Sequence, residues 1–214
     1  TLLLGGYRAL RQHDLKLILA YGTVSQLGLI ILMVGLGTKS AALAGLAMIA
    51  SHAMFKAALF LTVGVVDAAT GTRDLRRLSG VGRFMPRVAL TGGLAVGSMI
   101  GLAPFAGYVA KEAALESLLH DGVPGLAPWV PNVVLAAIAV GSALTVAYGA
   151  RFWWGAFVTK TKAPVIPIPP LHLDGTAAET EMVDPATFKT QSAPLPTPGL
   201  VLAVLGLVAG LRPV

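Results

Sequence analysis

LAGLAMIASHAMFKAALFLTVGVV, residues Leu43 to Val66, decides how the rest of the chain is read. Apart from two small hydroxyl residues, its polar groups are His52 and Lys56, near the centre of an otherwise apolar run. Such a run is long enough for an α-helix to cross a hydrocarbon core about 30 Å thick. Helical residues four apart share a face, so the imidazole and the ammonium project into the same space. An ionisable group at the bilayer centre costs roughly 2.5 to 3.5 kcal/mol on insertion scales, so such groups persist where they line a protein interior or a hydrated path. The bland reading is a hydrogen-bonding pair that joins two helices. The favoured reading is proton or ion handling, because imidazole titrates near neutrality.

Composition agrees with a membrane location. Hydrophobic residues make up 55% of the chain and charged residues 12%, with a mean hydropathy of +0.76. A water-soluble domain carries about twice that charge. Many of the 25 glycines lie inside apolar runs, as expected where helices pack closely in lipid. The absence of cysteine excludes disulfides, thiol chemistry and cysteine-ligated metal. The net charge of +6 gathers in loops between apolar runs, so membrane topology explains it and nucleic acid is not an expected partner.

The predicted organisation is an all-α, polytopic bundle of transmembrane helices. Thr1 to Leu4 read as the end of an earlier span, followed by a polar turn through Arg8, Arg11, Gln12, His13 and Asp14. Leu15 to Leu36 and Leu43 to Val66 are the first complete spans, with a short link between them. The loop from Asp67 to Arg87 carries five arginines. Val88 to Leu119 is too long for one plain helix and is interrupted near residues 101–107 by Gly101, Pro104 and Gly107, which predicts one discontinuous helix. His120 to Pro131 is a link, and Asn132 to Phe157 is a fourth span.

Residues 158–198 read as a proline-rich surface loop and residues 199–214 as the start of a further transmembrane helix. The basic segments, Arg8 to Lys16, Arg73 to Arg87 and Lys160 to Lys162, alternate with nearly neutral ones. By the positive-inside rule the basic segments face the cytoplasm, provided that Val88 to Leu119 crosses once. A chain that starts without methionine and stops after a short apolar run is expected to be an interior piece of a longer protein.

Further candidate residues follow from the spans. Lys111 comes after the predicted break, where freed carbonyls and water can solvate its charge; Glu112 and Glu116 are expected partners, and Tyr108 shares its face. Snorkelling to an interface is the alternative for Lys111. Lys16 reads equally as an interfacial anchor and as a point of proton entry. Ser25 and Gln26 either hold water in a path or bond locally. Gly93, Gly97 and Gly101 predict close approach of another helix. Arg151, Trp153 and Trp154 read as an interfacial anchor.

The four histidines, at positions 13, 52, 120 and 172, are scattered. No catalytic triad, carboxylate pair or metal spacing emerges, and no flavin, quinone or haem ligand set is recognisable, so neither an enzyme nor a bound cofactor is expected. Thr38-Lys39-Ser40 lacks the glycine that a phosphate loop requires before its lysine.

Three segments together carry a resemblance: DLKLILAYGTVSQLG at Asp14 to Gly28, SHAMFKAALFL at Ser51 to Leu61 and GLAPFAGYVAKEAAL at Gly101 to Leu115. Over nearly all of residues 1–157 the chain resembles the antiporter-like subunits shared by respiratory complex I and the multisubunit Mrp cation/proton antiporters. TGTRDLRRLSG at Thr70 to Gly80 and KEAALE at Lys111 to Glu116 look more like the Mrp A subunit. The resemblance implies a central hydrated axis that includes His52 and Lys56, an exit-side lysine at Lys111, and another family lysine at Lys16. Gln26 and Met48 fall where some relatives carry histidine, which implies a relay with fewer imidazoles.

It also implies a fourteen-helix fold of which this chain holds the second half, in the plasma membrane of a bacterium. The implied partners are lipid, other antiporter subunits, protons and a monovalent cation, with Na+ the expected one. A proton-pumping subunit of complex I is the alternative within this class. A non-transporting membrane scaffold is the alternative outside it.

Overall fold

The computed structural model describes residues 1–121, 125, 127, 129–160, 182–183, 187–188 and 197–211. Most of the predicted proline-rich loop therefore lies outside the described residues. The described chain is helical, in the order α1 (Leu2–Arg11), α2 (Leu15–Gly35), α3 (Lys39–Thr70), α4 (Val81–Phe84), α5 (Pro86–Ile100), α6 (Ala106–Asp121), α7 (Val130–Phe157) and α8 (Thr197–Leu211). Three of these, α2, α3 and α7, are long and apolar enough to cross a membrane.

Local chemistry sets the helix ends. Asp14 caps α2 by accepting from Leu17 N at 3.0 Å, and Thr38 caps α3 by accepting from Ala41 N at 3.2 Å. Gly71, at φ 69°, closes α3 with its N–H on Asp67 O. These caps correct two predicted boundaries. The second span runs from Lys39 to Thr70 rather than from Leu43 to Val66, because caps and backbone geometry stop a helix where hydropathy only fades. The predicted polar turn at Arg8 is helical through Arg11, with Arg11 on the Tyr7 hydroxyl at 3.2 Å one turn back.

Residues 86–121 form two helices separated by five residues. α5 ends in a Schellman arrangement: Gly101 takes φ 85°, its N–H reaches Ser98 O at 3.2 Å, and Leu102 N reaches Gly97 O at 3.0 Å. α6 begins at Ala106 and packs mainly on α3. α8 lies over this turn, and Gly210 meets the backbone of residues 104–106 so closely that no side chain would fit there.

The basic segments come together at one end of the bundle. Leu15 N donates to Arg73 O at 2.9 Å and Leu75 N to His13 O at 2.8 Å, which ties the α1–α2 turn to the loop after α3. Arg73 lies 3.4 Å from the Asp14 carboxylate and 3.8 Å from Asp67. Lys160 donates to Leu75 O and Leu78 O, and its backbone N–H to Ser79 Oγ. Away from these loops, the start of α3 and the end of α6 flank an open groove of about 480 Å³ lined in part by Ser40, Ala44, Ala47, Ala113, Glu116 and His120.

Asp14 serves both the cap and the ion pair with Arg73. Replacing it with alanine is expected to destabilise the protein by about 1 kcal/mol, since a lost N-cap dominates an exposed ion pair. Thermal unfolding in detergent, with and without salt, checks this; a loss that vanishes in high salt would assign the effect to the ion pair instead.

The interior is layered. One apolar cluster, toward the basic end, contains Leu15, Ile18 and Leu19 of α2, Phe55, Leu59, Val63 and Val66 of α3, Val88, Ala95, Val96 and Met99 of α5, and Tyr148, Phe152 and Phe157 of α7. A second contains Leu29, Ile30 and Met33 of α2, Ala44 and Met48 of α3, Ala110, Ala114 and Leu118 of α6, and Ile138 of α7. Between them along the chain, α2 contributes Ser25 and Gln26, α3 contributes Ser51 and His52, and α7 contributes Thr145, all buried. A polar layer therefore separates two oily ones.

Candidate functional site

Lys56 is buried at 5% exposure, and its Nζ donates to Leu19 O across the α2–α3 contact at 3.0 Å. That carbonyl also accepts from Thr23 Oγ1 at 2.8 Å, so it does not depend on the lysine. The ammonium has three donors and, among the described residues, this one hydrogen-bond acceptor. Space for it exists because residue 22 is glycine: a Cβ there would lie 3.0 Å from Lys56 Nζ and 3.0 Å from the Tyr148 ring. Thus α2, α3 and α7 meet at a point where one of them has no side chain.

His52 is buried one turn along α3, with its ring edge on Phe55 at a centroid distance of 5.2 Å. Its Nδ1 has no hydrogen-bond partner, nor do Gln26 Oε1, Ser98 Oγ and the Tyr148 hydroxyl. Gln26 Nε2 donates to Thr145 Oγ1 at 3.2 Å, and the Tyr148 hydroxyl is buried beside both residues. Ser25 donates to Leu2 O at 2.7 Å rather than to its own helix, and so stitches α2 to α1.

Lys111 sits at the turn between α5 and α6. The Schellman bonds occupy Gly97 O and Ser98 O, leaving the next two carbonyls, and Lys111 Nζ donates to both, Met99 O at 3.1 Å and Ile100 O at 3.2 Å. A cation at the negative end of a helix dipole is favourably placed. Here the sequence expectation is corrected: these carbonyls, rather than Glu112 or Glu116, hold the ammonium, and both carboxylates are exposed. Tyr108, also exposed, lies against Glu112 rather than Lys111.

The two lysine sites adjoin the same short segment of α7. Tyr148 borders the Lys56 site, while a Cβ on Gly149 would lie 3.0 Å from both Met99 Cε and Ile100 Cγ2, on the residues whose carbonyls hold Lys111. Lys16 is not brought to either site; it is exposed in the first turn of α2, at the basic end.

Two other expectations need revision. Gly93, Gly97 and Gly101 make room for the Trp153 indole, the Phe105 ring and the Lys111 stem, so side chains rather than a helix backbone fill the space. Arg151 donates to Leu10 O and Trp153 Nε1 to Ala89 O at 3.0 Å, so both stitch helices together and Trp154 alone of the three is exposed. Sequence reading missed Gly22, Ser98, Thr145 and Tyr148. The available signal was the spacing of Thr145 and Tyr148, three apart on one face of an apolar run. Among the described residues, no group of three or more metal-ligating side chains occurs.

A helical bundle that buries a lysine, a histidine and polar side chains between apolar layers is matched by known membrane proteins. The family model described as NADH:quinone oxidoreductase/Mrp antiporter, TM, matches residues 1–136, and the chain belongs to that family. It is 39% identical over 167 residues to the A/B subunit of a probable K(+)/H(+) antiporter of Rhizobium meliloti, covering 76% of this chain and 16% of that protein. It is 36% identical over 172 residues to the A subunit of a Na(+)/H(+) antiporter of Bacillus subtilis, covering 73% and 21%.

Among solved structures, the Mrp complex from Dietzia sp. DQ12-45-1b matches with a TM-score of 0.77 and 37% identity, over 98% of this chain and 20% of that one. Respiratory complex I from Thermus thermophilus shares the fold, with a TM-score of 0.72 and 22% identity, over 97% and 38%. The chain thus spans about a fifth of the length of its antiporter relatives. It is a multi-pass protein of the bacterial plasma membrane, and its antiporter relatives are named as transporters rather than enzymes.

Proposed function

We propose that this chain forms the second half of the antiporter-like core of a Mrp-type A subunit and carries part of the proton path of a monovalent cation/proton antiporter. Na+ is the cation assigned, in keeping with the name of the Bacillus subtilis relative. Protons pass through water, the buried His52 and Lys56 and the half-buried Lys111. The observation that carries this reading is the polar layer, in which α2, α3 and α7 place buried polar side chains between two apolar clusters. A structural bundle in lipid gains nothing from unpaired buried polar atoms.

Coupling is electrostatic: a charge on one lysine raises the cost of a charge on the next, so a proton arriving at one site favours departure from the other. α5 and α6 act as one interrupted crossing, a reading supported by the start of α5 beside the basic loops and the end of α6 beside the start of α3. Lys16 serves as an anchor at the membrane edge. Residues 1–157 form the working unit, and α8 is the start of a further crossing. Partner subunits and the preceding half of the core complete the transporter. The complex I reading is weaker, because the antiporter relatives reach 36–39% identity while the complex I likeness is at 22%.

Cation/proton exchange by the complete complex in vesicles tests the proposal. Separate replacement of His52, Lys56 and Lys111 by alanine is expected to lower exchange at least fivefold with assembly intact. Unchanged exchange in the assembled Lys56→Ala and Lys111→Ala complexes would favour a scaffold.

A further inference from the structure

The surroundings of Lys56 contain a second place for its ammonium. Leu19, Gly22 and Gln26 follow one another at spacings of three and four along one face of α2. The ammonium rests on Leu19 O, at one end of this row. At the other end Gln26 Oε1 is buried without a hydrogen-bond donor, and the Tyr148 hydroxyl, equally buried, lies beside Gln26 and Thr145 with acceptor capacity to spare. Between the two ends lies Gly22, where the lysine tip and the tyrosine ring both come within 3.1 Å of the point a Cβ would occupy.

We propose that Gln26 Oε1 and the Tyr148 hydroxyl form a second seat for the Lys56 ammonium, reached from Leu19 O across the gap at Gly22. The move makes no covalent change: one N–H···O=C bond to Leu19 is exchanged for bonds to an amide oxygen and a phenol oxygen, and the proton stays on nitrogen throughout. Leu19 O keeps its bond from Thr23 Oγ1, so leaving it exposes no unpaired carbonyl. Thr145 holds the Gln26 amide by its nitrogen, which leaves the oxygen available. Leu19 and Gln26 are separated by roughly 10 Å of helix axis, and the ammonium, beside the Cβ position of Gly22, already stands between them. The flexible lysine stem covers the remaining distance by rotamer change. Tyr148 and Gly22 are positioning residues: they decide where a charged Lys56 rests and from which side it releases its proton.

This inference rests on the relay reading and deepens it. The test uses the complete complex in vesicles with four variants: Lys56→Ala, Tyr148→Phe, Gly22→Ala and the double variant Tyr148→Phe with Gly22→Ala. Tyr148→Phe keeps the ring and removes the acceptor, while Gly22→Ala narrows the gap at a cost of a few tenths of an ångström from the lysine tip and the ring.

Each single change at 148 or 22 is expected to slow exchange at least fivefold, and the double variant to be no slower than the slower single, because both block the same movement. Losses that multiply in the double variant would mean two independent packing defects and would overturn the second seat. So would unchanged exchange in both singles while Lys56→Ala abolishes it, with the relay still standing. Unchanged exchange in Lys56→Ala would remove the relay and this inference together. Should either single variant fail to assemble, Gln26→Leu takes its place in the cycle, with the same outcomes.

Discussion

Replacing Lys56 by methionine in the complete complex is expected to reduce cation/proton exchange at least tenfold while the complex assembles at the wild-type level. Methionine is unbranched and close in length, so the space beside Gly22 and Tyr148 stays filled and no cavity penalty arises. The hydrogen bond that disappears is the one to Leu19 O, which retains Thr23 Oγ1 at 2.8 Å. The structural cost is therefore small, and insertion of the α3 segment becomes easier by roughly 2.5 to 3.5 kcal/mol because a charge has left the bilayer centre. A stabilised, assembled and inactive complex is the expected combination. Exchange at the wild-type rate would show that the buried ammonium has no part in transport.

Lys111 separates two roles that alanine scanning confuses. Its Nζ satisfies Met99 O and Ile100 O at the end of α5, so truncation leaves two carbonyls without that donor, at about 1 to 3 kcal/mol for a buried unsatisfied group. Lys111→Ala is expected to lower both thermal stability and exchange. Lys111→Arg keeps a donor on the carbonyls and a positive charge at the helix end, but a guanidinium does not give up its proton in proteins. The arginine variant is expected to recover most of the stability and none of the exchange, remaining at least tenfold below wild type. Recovery of both would reduce Lys111 to a helix cap. Melting of the purified complex and vesicle exchange, measured on the same preparations, read the two effects separately.

Much of this was legible in the sequence because lipid makes polarity conspicuous. His52, Lys56 and Gln26 stand out in apolar runs, and glycine and proline announce the turn between α5 and α6. Lys111 was found for the same reason, but its partners were misread. Charge complementarity suggested Glu112 and Glu116, whereas the acceptors are main-chain carbonyls freed by the geometry at Gly101, and a sequence shows no carbonyls. Tyr148 and Gly22 were missed because a tyrosine in a membrane helix is unremarkable by composition. A glycine acquires meaning only when one knows what fills the space it leaves. Helix ends followed the same logic: Thr38 and Gly71 act through single hydrogen bonds and one dihedral, which average hydropathy does not register.

Filled with water in the assembled protein, the groove beside the start of α3 and the end of α6 would shorten the insulating part of the protein. Ala47 lines it, and His52 is five residues further along α3, about 7.5 Å of axial rise. A membrane voltage falls mainly across material that ions and water do not enter, so in an aqueous cavity of this depth most of the drop is concentrated between its floor and the opposite loops. A charge moved a few ångströms there samples a large share of the whole potential, worth about 2.3 kcal/mol per elementary charge for a full 100 mV. The shape of the protein would in this way let small side-chain displacements be driven by the electrical gradient of the cell.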